Sequence, residues 1–204
     1  MTTVGRWSPN KVRARVLDGT WVSPETLGGM VLLTPTSIAY SGTSATVGAN
    51  GSVEFTACTS LSLNGVFSAD YDNYMIAMRY ESPGGSSTVS GRFRVSGSDA
   101  TGADYTRQYL SANSTTVSGA RETSQTYFRA GITFSNESGD VLYLYGPFLA
   151  QPTATRNVSA WGRDDARIFD AACTHSLSTS YDGITLVPDF AFTGLVSVYG
   201  LVGA

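Results

Sequence analysis

Long, unbranched helix-forming side chains are almost missing from this sequence, with one Lys, five Glu and three Gln in 204 residues. Nine such residues cannot furnish the exposed faces of a helical bundle, a coiled coil or repeated βαβ units. In their place stand 26 Ser, 24 Thr and 22 Gly, about a third of the chain. Hydrophobic residues still reach 42 %, including 11 Tyr and 9 Phe, enough to bury a core. The sequence therefore predicts a mostly antiparallel β protein, long enough for one sizeable domain and an appendage.

The two-residue rhythm supports this. In the stretch beginning at Tyr127, Phe128, Ala130, Ile132 and Phe134 share one face, while Tyr127, Arg129, Gly131 and Thr133 share the other. Tyr74, Ile76, Met78 and Tyr80 alternate with Met75, Ala77 and Arg79, and the mostly apolar character of both sets predicts a central strand covered on two sides. Phe93 and Val95 are expected inward with Arg92 and Arg94 outward. Val141, Tyr143 and Tyr145 are expected to oppose Leu142 and Leu144, and the closing strand should place Val196 and Val198 in the core. Eight or more strands, with turn clusters between them and no fixed repeat, predict an antiparallel β-sandwich of jelly-roll type over residues 41–204.

Residues 1–40 read as an extended N-terminal arm, because Pro9, Pro24 and Pro35 and four glycines interrupt any periodic pattern. A single helical turn is expected near Ser23. The net charge of −3 argues against general nucleic-acid binding. The arm, however, concentrates Arg6, Lys11, Arg13 and Arg15, together with Trp7 and Trp21. One reading is an anchor that docks on an acidic partner, and the other is a solvated terminus; the two tryptophans are costly to leave in water. No apolar run has the length of a membrane span or of a secretory h-region. Cys58 and Cys173 fit no zinc spacing and are expected to be buried free thiols, as in a protein folded in a reducing compartment.

Candidates for chemistry are few. His175 is the sole histidine, lacks a nucleophile-elbow context, and is expected to be a half-buried polar residue beside Cys173. Asp164, Asp165 and Asp170 form the densest acid cluster and the one place for a glycoside-hydrolase pair, but Arg163 and Arg167 are interleaved with them. Asp99 and Asp104 lack the spacing of a calcium loop. No catalytic residue, cofactor or metal is expected. Tyrosines suit contact with sugars or proteins. Tyr105 and Tyr109 are the candidates for host contact, whereas Tyr74, Tyr143, Tyr145 and Tyr199 are expected to be packing groups.

Two blocks carry a resemblance. Phe67, Tyr71, Asn73 and Tyr74 open a long strand, and Tyr181, Asp182, Gly183, Leu186, Pro188, Gly194, Val198, Tyr199 and Gly200 close the chain. Together they resemble the pattern of minor tail or tail-fibre-type proteins of tailed bacteriophages that infect actinobacteria, over most of residues 50–204. The resemblance implies a non-enzymatic virion structural protein, folded in the host cytoplasm without a signal peptide. It would be tail-associated, anchored through the arm to another virion protein, homotrimeric, and displayed for binding to host cell-wall glycan. A capsid decoration or fibre protein on the same fold is the alternative, and a glycan depolymerase is a second.

Overall fold

The structure, a computed structural model, describes residues 29–84, 87–133, 137–161 and 167–202. Among the described residues there are sixteen strands in two antiparallel sheets and no helix. Eight strands make the body. One sheet orders them as β4 (Val53–Cys58), β16 (Phe192–Val202), β6 (Asn73–Glu81) and β12 (Ser138–Tyr145); the facing sheet orders β5 (Ser60–Asn64), β15 (Gly183–Pro188), β7 (Ser87–Val95) and β11 (Phe128–Thr133). Taken in chain order, those eight strands follow jelly-roll connectivity, with each sheet built from strands distant in sequence. The expected sandwich is therefore the observed one.

The remaining strands extend this body. Beyond β12 the larger sheet continues through β13 (Thr153–Trp161), β14 (Arg167–His175), β9 (Tyr105–Asn113) and β10 (Thr116–Gln125), a four-stranded wing. β3 (Ser44–Val47) flanks β4, and β2 (Ser37–Ser41) flanks β5. β8 (Ser98–Asp99) folds back on β7 through Ser96 and Gly97, both at positive φ (51° and 78°), as a two-residue hairpin turn matched to strand twist requires.

The arm boundary expected at residue 40 is corrected. β1 (Gly29–Leu33) pairs with the C-terminal half of β16, Gly29 opposite Val202, and β2 pairs with β5. Residues 29–40 thus belong to the sandwich, with Pro35 in the bend between two strands. Pro and Gly mark that bend rather than a continuous arm. The arm candidates Arg6, Trp7, Lys11, Arg13, Arg15 and Trp21, and the helical turn near Ser23, lie outside the described residues.

The core sits between the eight body strands. Leu61, Leu63, Ile76, Phe93, Phe128, Leu142, Leu144, Ile184 and Leu186 are all 0 % exposed, and each contributes about 1.5–3 kcal/mol by leaving water. Val196 and Val198 are buried as expected. β6 is central, between β12 and β16, but only its Tyr74 face is fully buried; Met75 and Ala77 are partly exposed, so among the described residues the expected second layer does not cover that face.

Two further expectations fail for local reasons. Val95, at the end of β7 beside the Ser96–Gly97 turn, lies exposed, whereas Arg94 keeps the expected face opposite Phe93 but is buried there, because it donates to Asn64 (3.0 Å), Ser62 (2.8 Å) and Thr185 (2.6 Å) and pairs with Asp99. Ile132 leaves the Phe128 face because the register shifts between Arg129 and Gly131, a bulge that re-aims the rest of the strand.

Several of the residues that carry the resemblance are packing groups, the partly exposed Tyr199 not among them. The Phe67 ring lies 4.7 Å from that of Tyr74, whose hydroxyl accepts from the Ser68 amide and donates to the Ser68 carbonyl, both at 2.8 Å. Tyr181 stacks on Phe93 at 5.1 Å. At Gly200 an added Cβ would sit 2.5 Å from the Tyr71 ring, and at Gly194 2.1 Å from the Arg79 carbonyl oxygen, so these positions tolerate no side chain without a shift.

Candidate functional site

The larger sheet presents its inner face to the core, and its outer face is open among the described residues. Register places the outward side chains in rows across the strands. One row runs Tyr199 on β16, Met75 on β6, Tyr143 on β12, Arg156 on β13, Ala172 on β14 and Gln108 on β9. The neighbouring row carries Tyr145, opposite Ala154. Tyr145 is 45 % exposed, and Tyr143 and Tyr199 are partly exposed. The alternation of β12 explains why, since Leu142 and Leu144 occupy the core side and leave Tyr143 and Tyr145 outward.

Beside the tyrosines lies a depression of about 300 Å³ lined by Gln108, Tyr109, Leu110, Arg156, Asp170 and Ala172. Ala172, between Arg156 and Gln108 in the row, is small enough to leave this space. At its wall Arg156 donates to Asp170 twice, Nε to Oδ1 at 3.2 Å and Nη2 to Oδ2 at 2.6 Å. This fork fixes both planes. The hydrogen bond and charge of Asp170, with a smaller contribution from Tyr145, raise the affinity of Arg156 for its proton. A second depression, about 360 Å³, lies on the same sheet around Glu54, Arg79 and Leu195.

Neither tyrosine expected at a host contact stands in the outward row, although Tyr109 is among the residues lining the depression. Tyr105 is 0 % exposed and is withdrawn as a surface residue. Its ring packs 4.2 Å from His175, and its hydroxyl accepts from the Phe93 amide at 3.2 Å and donates to the Ala100 carbonyl at 3.1 Å. Burial pushes its phenol pKa upward. Tyr109 is partly buried on the inner face of the wing, stacked on Phe169 at 5.5 Å with the Arg129 guanidinium 4.4 Å above its ring. The outward tyrosines were the ones expected to pack. Alternation separates the two faces of a strand, but it does not say which face meets a second sheet when both are apolar.

The reactive candidates are held in structural settings. His175 is 1 % exposed, beside Tyr105 and Tyr181, and burial lowers its pKa. Burial pushes the Cys173 thiol up to about 12, away from the thiolate that nucleophilic chemistry needs. Cys58 and Cys173 are free and buried, as expected. Asp99 is engaged by Arg94 and by Thr185 at 2.6 Å, and Asp170 by Arg156. Asp164 and Asp165 lie outside the described residues. Among the described residues no group of three or more His, Cys, Asp or Glu could hold a metal ion, and no helix is long and apolar enough to cross a membrane.

No family model and no curated protein matches the sequence. Among solved structures the chain is similar to domain 4 of AbnA, a GH43 extracellular arabinanase from Geobacillus stearothermophilus, in complex with arabinotriose. That match has 10 % identity over 85 % of this chain and 82 % of that one, with a TM-score of 0.27. A second similar structure is the CBM2 module of the evolved Dit of Lactobacillus casei BL23 phage J-1, at 10 % identity over 85 % of this chain and 97 % of that one, with a TM-score of 0.22.

Proposed function

We propose that this chain is a non-enzymatic, tail-associated virion protein of a bacteriophage, and that the outer face of its larger sheet binds the host surface. The observation that carries the reading is the open row of Tyr199, Met75, Tyr143 and Arg156 on a rigid sheet. Tyrosine offers a large amphipathic contact at low entropic cost, and strands hold such groups in place better than loops do. The sequence resemblance to tail proteins supplies the virion setting. In this reading residues 1–28, with Arg6, Trp7, Lys11, Arg13, Arg15 and Trp21, anchor the body to another virion protein, and three copies assemble together.

The test is binding of the labelled full chain to purified cell envelopes of an actinobacterial host. Saturable binding that the double substitution Tyr143→Ala, Tyr145→Ala abolishes is the expected result. Binding only to virion shells, with none to envelopes, would transfer the protein to the decoration reading. Release of reducing sugar from the envelopes would make it an enzyme.

A further inference from the structure

We infer that the outer face takes a neutral, linear glycan lying across the strands, with one sugar seated in the depression between Arg156 and Gln108; this rests on the reading of that face as the host-binding surface. Three features of the face carry it. The first is spacing. Tyr199 and Tyr143 share a row two strands apart, which sets them about 9.6 Å from each other, and the depression begins on the next strand. Contacts at such regular intervals along one line suit a polymer of repeating rings running at right angles to the strands. A compact ligand would need groups that converge on a point.

The second feature is charge. The Arg156–Asp170 fork sums to zero: Nε and Nη2 face the two carboxylate oxygens, which leaves Nη1 as a donor edge and the outer lone pairs of Asp170 as an acceptor edge. A donor edge next to an acceptor edge complements a pair of neighbouring hydroxyls, each of which both donates and accepts. An anionic wall polymer would instead meet the Asp170 carboxylate at the same wall, and the nearest additional cation in the row, Arg121 opposite Gln108, lies beyond the depression. The third feature is size. About 300 Å³ is at the lower end of small-molecule sites, roughly 300–1,000 Å³, and its small floor residue, Ala172, admits a ring edge-on.

The test uses the full chain with defined probes: hexasaccharides of β-1,4-linked glucose, β-1,4-linked mannose and α-1,5-linked arabinose, and poly(glycerol phosphate) as the anionic comparison. Calorimetry should show one of the neutral hexamers binding, with affinity unchanged between low and high salt, because no counterions are exchanged. Arg156→Ala and Tyr143→Ala should each weaken that binding roughly ten- to a hundred-fold while leaving the melting temperature in place. Asp170→Asn, which leaves the site cationic, should weaken the neutral glycan and strengthen poly(glycerol phosphate). Preference of the unsubstituted chain for poly(glycerol phosphate), with loss of affinity in salt, overturns the inference. So does binding of all three hexamers that is indifferent to Arg156 and Tyr143. In both of those outcomes envelope binding persists, so the host-binding reading survives; loss of envelope binding itself ends that reading separately.

Discussion

Inward positions of the jelly roll are hydrocarbon and aromatic, such as Leu61, Ile76, Phe93 and Leu142. Across the wing the corresponding inward positions of β13 are Thr153, Thr155, Asn157 and Ser159, and on β9 Arg107 is 4 % exposed. The two regions share one continuous sheet but are held by different forces. The body is covered by a whole opposing sheet, so non-directional burial suffices. The wing is covered chiefly by β11, and its inner face closes through directional contacts: Arg107 with Glu122, Arg129 with the Tyr109 ring, and Arg107 over the Tyr127 ring at 4.2 Å. Asp140 marks the seam, accepting from Tyr80 of the body and from Ser159 and Asn157 (3.2 Å) of the wing. Asn157 also donates to the Ala130 carbonyl at 2.7 Å, tying β13 to the opposite sheet.

The contrast is tested most severely by Phe93→Ala. That ring touches Tyr105, Phe128, His175 and Tyr181, and its loss should cost about 3–5 kcal/mol in urea unfolding. A cost below 1 kcal/mol would mean that the body does not depend on packing. At the seam the expected signature is pH. Burial raises the Asp140 carboxyl from 3.8 to about 6, so the folded state holds a proton that the unfolded chain releases. The resulting stability is complete below pH 3.8 and is lost as pH rises through about 6, a swing of about 3 kcal/mol. Asp140→Asn should flatten this dependence; a slope that survives the substitution would assign it to another group.

Much of the body was legible in advance because a core between two apolar faces leaves a period-two trace, as in Tyr74–Tyr80 and Leu142–Leu144. The wing left little. β10 reads Thr, Val, Ser, Gly, Ala, Arg, and is exposed along most of its length, so no burial disciplines its pattern. β14 showed in sequence only as the end of an acid cluster interleaved with arginines, because Asp170 and Arg167 stand out in a strand whose inward residues, Phe169, Ala171 and Cys173, are few. The site was missed for a related reason. Tyr143 and Tyr105 look alike in sequence, and only the position of the second sheet decides which is hidden. The burial of Arg94 on its outward face was not legible, because its partners are Ser62, Asn64, Asp99 and Thr185, none of them apparent from local spacing.

Smaller effects sharpen the same comparison. Glu122→Gln leaves Arg107, with a 5 % exposed side chain, short of its counter-charge, while Glu122 itself is 28 % exposed. A loss of about 1–2 kcal/mol is expected, with amide exchange accelerating in β9 and β10 but not in β6; uniform acceleration would mean that wing and body open as one unit. Tyr145→Ala on the open face should change stability by less than about 0.5 kcal/mol, and a larger loss would show that the tyrosine packs against something in solution.

The pairing of Gly29 with Val202 has a mechanical consequence. β1 runs antiparallel to β16, and its first residue lies at the open end of the pair. A pull on Gly29 directed across the strands therefore falls on one rung of the ladder at a time and peels β1 away from that end, whereas a pull along the strand axis would load its backbone hydrogen bonds together. Such a crosswise pull would yield first at β1, sparing the strands that frame the tyrosine row.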